Sequence, residues 1–207
     1  MRVRAKICGI TSFDDAYHAL ENGADALGFV FYKSSPRYIS PDLAKEICQK
    51  LPPFVCKVGL FVNASREDIN HVCNTVSLDL LQFHGDEREQ DCLDFSIPYI
   101  KAIRIQSEKD VECAEKAFPA ALAILVDTYV PGVPGGTGER FDWSLLPKKR
   151  SKPLILAGGL NEKNIYQAIQ SVRPYAVDVS GGVEQEKGKK NHQTVTQFLN
   201  EVSRASE

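Results

Sequence analysis

The stretch PLILAGGLNEKNIYQAIQSVRPYAVDVSGG, residues 153–182, reads as strand, glycine turn, helix, strand, glycine turn. An apolar run from Pro153 to Ala157 stops at Gly158-Gly159. Ile165, Ala168, Ile169 and Val172 then fall at the i, i+3, i+4, i+7 spacing of one helix face. A second apolar run, Tyr175 to Ser180, stops at Gly181-Gly182. Strands joined through a helix run parallel, so both glycine pairs lie at the same end of one sheet.

Working outward, the same alternation fills the chain. Strand candidates precede this stretch at Val3 to Cys8, Ala26 to Phe31, Val55 to Val62, Leu78 to Phe83, Tyr99 to Ile105 and Leu122 to Asp127. With the two above they make eight. Helical spacing appears at Phe13, Ala16, Tyr17 and Leu20; at Ala44, Ile47, Cys48 and Leu51; at Ile69, Val72, Cys73 and Val76; and at Val195, Phe198, Leu199 and Val202. Ser12, Ser65 and Ser107 each have an Asp three residues later, and Ser40 precedes Pro41, as helix starts require. The segments after Phe83 and after Gly135 carry weaker helical signals, so short or distorted helices are expected there. The 207 residues give about 26 per unit, near the minimum for a closed barrel. The expected fold is a single α/β domain over residues 1–207, a (β/α)8 TIM barrel. A doubly wound open sheet is disfavoured because its glycine signature follows the first strand, whereas here it follows the seventh and eighth.

Composition narrows the function. Hydrophobic residues are 43%, charged residues 25%, and the formal net charge is -2, which leaves no basic field for nucleic acid or an anionic membrane surface. The basic stretches Lys148 to Arg150 and Lys187 to Lys190 read as solvated loop charge. Charges interrupt the N-terminal apolar run and no apolar stretch reaches membrane-spanning length, so a cytoplasmic location is expected. Six scattered cysteines lack zinc-ligand spacing and are expected as reduced thiols, mostly core. Only Cys8 stands where chemistry is expected.

Active sites of such barrels lie at the C-terminal strand ends. There the sequence offers Cys8-Gly9, Ser35-Pro36-Arg37, Asn63, His84-Gly85, Arg104, Asp127, Gly158-Gly159 and Ser180-Gly181-Gly182. The two glycine ends, with a helix capped near Asn161, would present bare N–H groups to a phosphate. Strand parity puts Lys6 and Cys8 on the face opposite Ala5 and Ile7, and Leu125 and Asp127 opposite Ile124 and Val126. Both titratable groups therefore aim into the barrel, one able to take a proton and one to give it. Lys6 and a following helix start would favour the Cys8 thiolate. Arg37 can fork onto a carboxylate or phosphate, or stand exposed and unpaired. His84 is read as hydrogen-bonded to backbone, with a ligand contact as the alternative. Asp178 points inward with Ser180 and is read as orienting strand-end groups. Gly136, in the run Gly135-Gly136-Thr137-Gly138, belongs either to a long turn or to a mobile lid.

These motifs resemble the phosphoribosylanthranilate isomerase family of tryptophan biosynthesis. The resemblance runs through Lys6-Ile7-Cys8-Gly9-Ile10-Thr11, Ser35-Pro36-Arg37-Tyr38, Gln82-Phe83-His84-Gly85, Leu125-Val126-Asp127-Thr128, Gly135-Gly136-Thr137-Gly138 with Phe141-Asp142-Trp143, Leu156-Ala157-Gly158-Gly159-Leu160, and Val177-Asp178-Val179-Ser180 with Gly182-Val183-Glu184. Gly181 stands where the family usually has a second serine. Gly188-Lys189-Lys190-Asn191 replaces its Gly-x-Lys-Asp, a change expected to alter a helix cap. The resemblance implies an Amadori rearrangement of N-(5-phosphoribosyl)anthranilate to 1-(o-carboxyphenylamino)-1-deoxyribulose 5-phosphate. It makes Asp127 the general acid and Cys8 the general base, gives the anthranilate carboxylate to Arg37, and gives the phosphate to Gly158, Gly159, Ser180, Gly181 and Gly182. His84, Gly136 and Asp178 complete the expected substrate-binding set. No metal or organic cofactor is required, and either a monomer or a homodimer fits. The alternatives are another phosphosugar aldose-ketose isomerase, which the cysteine at position 8 counts against, and a non-catalytic phosphometabolite-binding barrel.

Overall fold

The computed structural model describes residues 2–128 and 142–206. Eight strands, β1 (Arg4–Cys8), β2 (Ala26–Val30), β3 (Cys56–Phe61), β4 (Leu80–Phe83), β5 (Tyr99–Ile105), β6 (Ile124–Thr128), β7 (Leu154–Leu156) and β8 (Ala176–Val179), close into a barrel. Each pairs in parallel with the next, and β8 returns to pair with β1 in the register Lys6↔Asp178 and Ile7↔Val179. Closure leaves no strand edge, which a parallel sheet covered by helices would otherwise expose.

Helices α1 (Phe13–Glu21), α2 (Pro41–Lys50), α3 (Arg66–Thr75), α4 (Glu89–Cys92), α5 (Asp110–Ala117), α6 (Ile165–Val172) and α7 (His192–Ala205) carry the crossovers and the C-terminal end of the chain. The hydroxyls of Ser12, Ser40 and Ser65 accept from the N–H groups of Asp15, Leu43 and Asp68, capping α1, α2 and α3. The weakly signalled region after Phe83 is short, as expected, since α4 has four residues; after Gly135 the described residues hold a single 3-10 turn, Trp143–Leu145.

Two cap expectations are corrected. At Ser107 the direction is reversed, because the Asp110 carboxylate accepts from the N–H groups of Gln106 and Ser107 and from the Ser107 hydroxyl, and α5 begins only at Asp110. Asn161 does not cap α6. Its side chain closes a local turn onto the Lys163 N–H, and the helix begins at Ile165. Tyr17, placed by periodicity on the apolar face of α1, is 45% exposed and stacks on Phe13 instead.

Parity along the strands separates two apolar layers. Ala5, Ile7, Ile124, Val126, Leu156 and Val177 face the helices in the main core, where they meet Ile165, Ala168, Ile169 and Val172 of α6. Each fully buried Ile there contributes roughly 1.5–3 kcal/mol of transfer free energy, so truncating Ile165 to Ala should cost about 2–5 kcal/mol. Inside the barrel, Ile100, Ala102, Ala123, Leu125, Ile155, Ala157 and Ala176 form a smaller layer. Above it sit Cys8, Val30 and Leu60, at the end where the strands open into the loops. The interior also holds buried polar groups, Lys6, Gln82 and Asp178. An interior this charged needs partners, and these direct attention to the strand ends.

Candidate active site

One cavity of about 290 Å³ occupies the C-terminal mouth of the barrel. Its walls include Cys8 from β1, Arg37 after β2, His84 after β4, Asp127 from β6, Gly158 and Gly159 after β7, and Asp178, Ser180, Gly181 and Gly182 at β8. The structure thus brings together every expected site residue that it describes. Gly136 and the lid expected around it lie outside the described residues.

Asp178 accepts from Lys6 Nζ at 2.8 Å, across the seam where the barrel closes, and both side chains are buried. Burial opposes the Lys6 charge, but the carboxylate and the neighbouring Cys8 outweigh it and hold the ammonium above its usual range. Gly28, opposite Cys8 on β2, leaves room for both heads. A Cβ there would lie 2.8 Å from the Cys8 sulfur and 3.0 Å from Lys6 Nζ.

Two opposing influences act on the Cys8 thiol. Burial pushes the thiol up, Lys6 pulls it down, and the net direction is up. The helix start offers little relief, because α1 begins at Phe13, beyond the span over which a helix terminus acts strongly. Burial thus opposes the thiolate form of Cys8, and the Lys6 ammonium favours it.

Among the described residues the His84 ring meets side chains and not backbone. Its Nδ1 lies 2.9 Å from Gln82 Nε2 and its Nε2 lies 3.2 Å from Asp127 Oδ2. Arg37 is neither exposed nor unpaired. Its Nε and Nη2 fork onto the two carboxylate oxygens of Glu184 at 2.7 and 2.8 Å, leaving Nη1 as the remaining guanidinium nitrogen. Burial raises Glu184, but hydrogen bonding from Arg37 and the charge of Lys190 prevail and hold it below the usual carboxylate range.

Lys190 overturns the reading of its stretch as solvated charge. Its Nζ is fully enclosed and donates to Glu184 Oε1, to the Cys8 carbonyl and to the Ser180 carbonyl at 3.0, 2.6 and 3.2 Å. Burial lowers its pKa, and Glu184 counters only in part. The hairpin of β9 (Glu184–Glu186) and β10 (Lys189–Lys190) folds the lysine back under the strand ends. Lys187, from the same hairpin, remains exposed but lines the cavity. The sequence signal for Glu184 and Lys190 was present in the motifs around Gly182 and Gly188, but nothing in spacing said that they would meet. Asn191 does cap α7, accepting from the Thr194 N–H.

At the other end of the cavity, Gly158 and Gly159 have φ of +81° and +62°, the left-handed region where glycine carries no steric penalty. Gly182 packs against the Leu160 carbonyl so closely that a Cβ would lie 1.9 Å from its oxygen. Among the described residues, the N–H groups of Gly158, Gly159, Gly181 and Gly182 donate to no protein acceptor. The Ser180 hydroxyl is likewise enclosed without a partner. Unused donors converging at adjacent strand ends are what a phosphate requires.

The chain that forms this cavity matches a protein-family profile over nearly its whole length. The family profile described as N-(5'-phosphoribosyl)anthranilate (PRA) isomerase matches residues 5–201. The chain belongs to this isomerase family. The N-(5'-phosphoribosyl)anthranilate isomerase of Pseudomonas putida KT2440 is 57% identical over 203 residues, covering 98% of each chain. The phosphoribosyl anthranilate isomerase of Thermotoga maritima superposes with a TM-score of 0.89 at 46% identity, covering 97% of this chain and 98% of its own. A solved phosphoribosyl anthranilate isomerase in complex with reduced 1-(o-carboxyphenylamino)-1-deoxyribulose 5-phosphate superposes at 0.82 with 42% identity, covering 97% and 98%.

Proposed function

We propose that this chain performs the family's isomerisation, with Asp127 as general acid and Cys8 as general base. The observation that carries the assignment is the shared cavity: both side chains line it, and the unused glycine N–H groups sit at one end. The substrate phosphate rests on Gly158, Gly159, Ser180, Gly181 and Gly182, which fixes the ribose between the two catalytic groups. Gly181, in place of the family's usual serine, still contributes its N–H.

Asp127 protonates the furanose ring oxygen. The C1–O bond breaks with its electron pair on oxygen, and the anthranilate nitrogen lone pair closes a C=N bond. Cys8, as thiolate, then takes the C2 proton; the C–H pair becomes the C1=C2 bond and the C=N pair returns to nitrogen. The resulting enolamine tautomerises to the ketone. Arg37, held flat by Glu184, directs its remaining Nη1 toward the anthranilate carboxylate, with Lys187 as a second cation near the rim. Asp178 keeps Lys6 in place beside the thiol, where the ammonium favours the thiolate needed for the second step.

The reading includes a cytoplasmic location and an assembly that is either a monomer or a homodimer. A solved Thermotoga maritima structure, 41% identical with a TM-score of 0.82, is described as monomers generated from a dimeric phosphoribosylanthranilate isomerase, so both states occur among relatives. Among the described residues no helix is long and apolar enough to cross a membrane. The activity is tested with purified protein and N-(5-phosphoribosyl)anthranilate. Loss of the substrate's anthranilate fluorescence with saturable kinetics is expected. Binding of a phosphosugar without turnover would instead favour a non-catalytic barrel. Sedimentation velocity checks the assembly.

A further inference from the structure

Gln82 is fully buried on the inner side of β4, and its Oε1 has no hydrogen-bond partner. Among the described residues its side-chain bond is the one from Nε2 to His84 Nδ1. A buried amide oxygen without a donor is costly, and turning the amide by half a turn forfeits no bond at that end. Gln82 can therefore present either end to His84. With Nε2 facing the ring, Nδ1 accepts and the imidazole is neutral, with its proton on Nε2. With Oε1 facing the ring, Nδ1 carries a proton, and Nε2 either donates to an ionised Asp127 or accepts from a protonated one.

We propose that Gln82, His84 and Asp127 form a proton relay in which His84, oriented by Gln82, reloads the acid that opens the sugar ring. The inference rests on Asp127 being that acid. The imidazolium Nε2–H bond breaks as an O–H bond forms on Asp127. Asp127 passes that proton to the ring oxygen as the C1–O bond breaks. His84 is left neutral with its proton on Nδ1, Asp127 is left ionised, and solvent at the cavity mouth restores the imidazolium. His84 is thus a positioning and proton-supplying residue acting through Asp127.

Other charged groups near the ring are already engaged or lie along the same wall. Glu87 Oε2 takes Lys101 Nζ at 2.9 Å and the Gly85 N–H at 2.9 Å, and its Oε1 takes the Asn63 N–H at 2.8 Å. Lys101 Nζ also donates to the Phe83 and Gly85 carbonyls. Arg104 of β5 pairs in register with Asp127 and lines the neighbouring cavity beside His84. Across the main cavity stand Cys8, Arg37, Asp178 and Lys187. Among these described groups, the carboxylate within hydrogen-bond distance of the His84 ring is Asp127.

The test is the pH dependence of His84→Asn, which can still hydrogen-bond but cannot ionise. The relay predicts kcat lowered at least about tenfold with KM within about twofold. It also predicts that the kcat/KM profile against pH loses one limb in this variant. Gln82→Met, which removes the acceptor for Nδ1–H, should move that limb to lower pH. Nitrogen NMR of the His84 ring should show deprotonation at lower pH in Asp127→Asn than in wild type, because the carboxylate that stabilises the imidazolium is gone. Should either His84→Asn or Gln82→Met fail to fold, the NMR comparison decides. A His84→Asn protein with wild-type kcat and profile, or one altered in KM alone, overturns the relay. So does a His84 ring indifferent to Asp127→Asn. If Asp127→Asn is inactive while His84→Asn is unaffected, the relay alone fails. A fully active Asp127→Asn removes the acid assignment and the relay together.

Discussion

Lys190 Nζ donates to the Cys8 carbonyl oxygen at 2.6 Å, joining residues 182 positions apart. The same ammonium holds the Ser180 carbonyl and Glu184, and Glu184 holds Arg37. One buried cation thereby ties Cys8, the loop after β8 and Arg37 into a single body. Lys190→Met breaks all three links and leaves Glu184 with Arg37 alone. Loss of about 3 kcal/mol of unfolding free energy is expected in urea titrations, the usual cost of removing one member of a buried pair, together with a raised KM. A stability change below about 1 kcal/mol would show that the network is solvated in solution.

Arg37→Ala should raise KM at least about tenfold with a smaller change in kcat, since the interaction exists in both ground and transition states. Glu184→Gln should raise KM less, because Arg37 keeps its charge but loses the fork that holds it flat. Steady-state kinetics on both variants check the ordering. Equal kcat losses in the two would place Arg37 at the reacting atoms instead.

The barrel was legible because its information is local. Each strand is a short apolar run, each long helix shows its own periodicity, and parity alone aimed Cys8 and Asp127 inward. The glycine ends of β7 and β8 were legible for the same reason. The Arg37–Glu184 fork spans 147 positions, and the contacts of Lys190 depend on a hairpin no periodicity announces. A lysine among other lysines reads as solvated until the fold encloses it. The His84 partners were equally hidden, since Asp127 is 43 residues away and reaches it only when β4 and β6 face one interior.

Gly182→Ala tests the phosphate cradle. The added Cβ must displace the Leu160 carbonyl that lies 1.9 Å from its place, which moves the loop after β7 relative to β8. Weaker competitive inhibition by inorganic phosphate and a raised KM are expected. Unchanged inhibition would put the phosphate elsewhere.

Cys8 should titrate above an ordinary thiol, about 8.5, because burial outweighs Lys6. A thiol reacts as thiolate, so its alkylation rises as pH passes its pKa. Iodoacetamide labelling of Cys8, read by peptide mass spectrometry, should therefore have its midpoint at higher pH than a free thiol, and higher still in Lys6→Met, which lacks the opposing charge. A wild-type midpoint below that of a free thiol would contradict this balance.

The central claim is that Cys8 and Asp127 exchange protons with the sugar, and turnover of N-(5-phosphoribosyl)anthranilate by Cys8→Ser and Asp127→Asn, followed by fluorescence beside wild type, tests it most directly. The account predicts that each folded variant loses kcat by about a hundredfold or more. Near-wild-type turnover in either variant would contradict the role given to that residue.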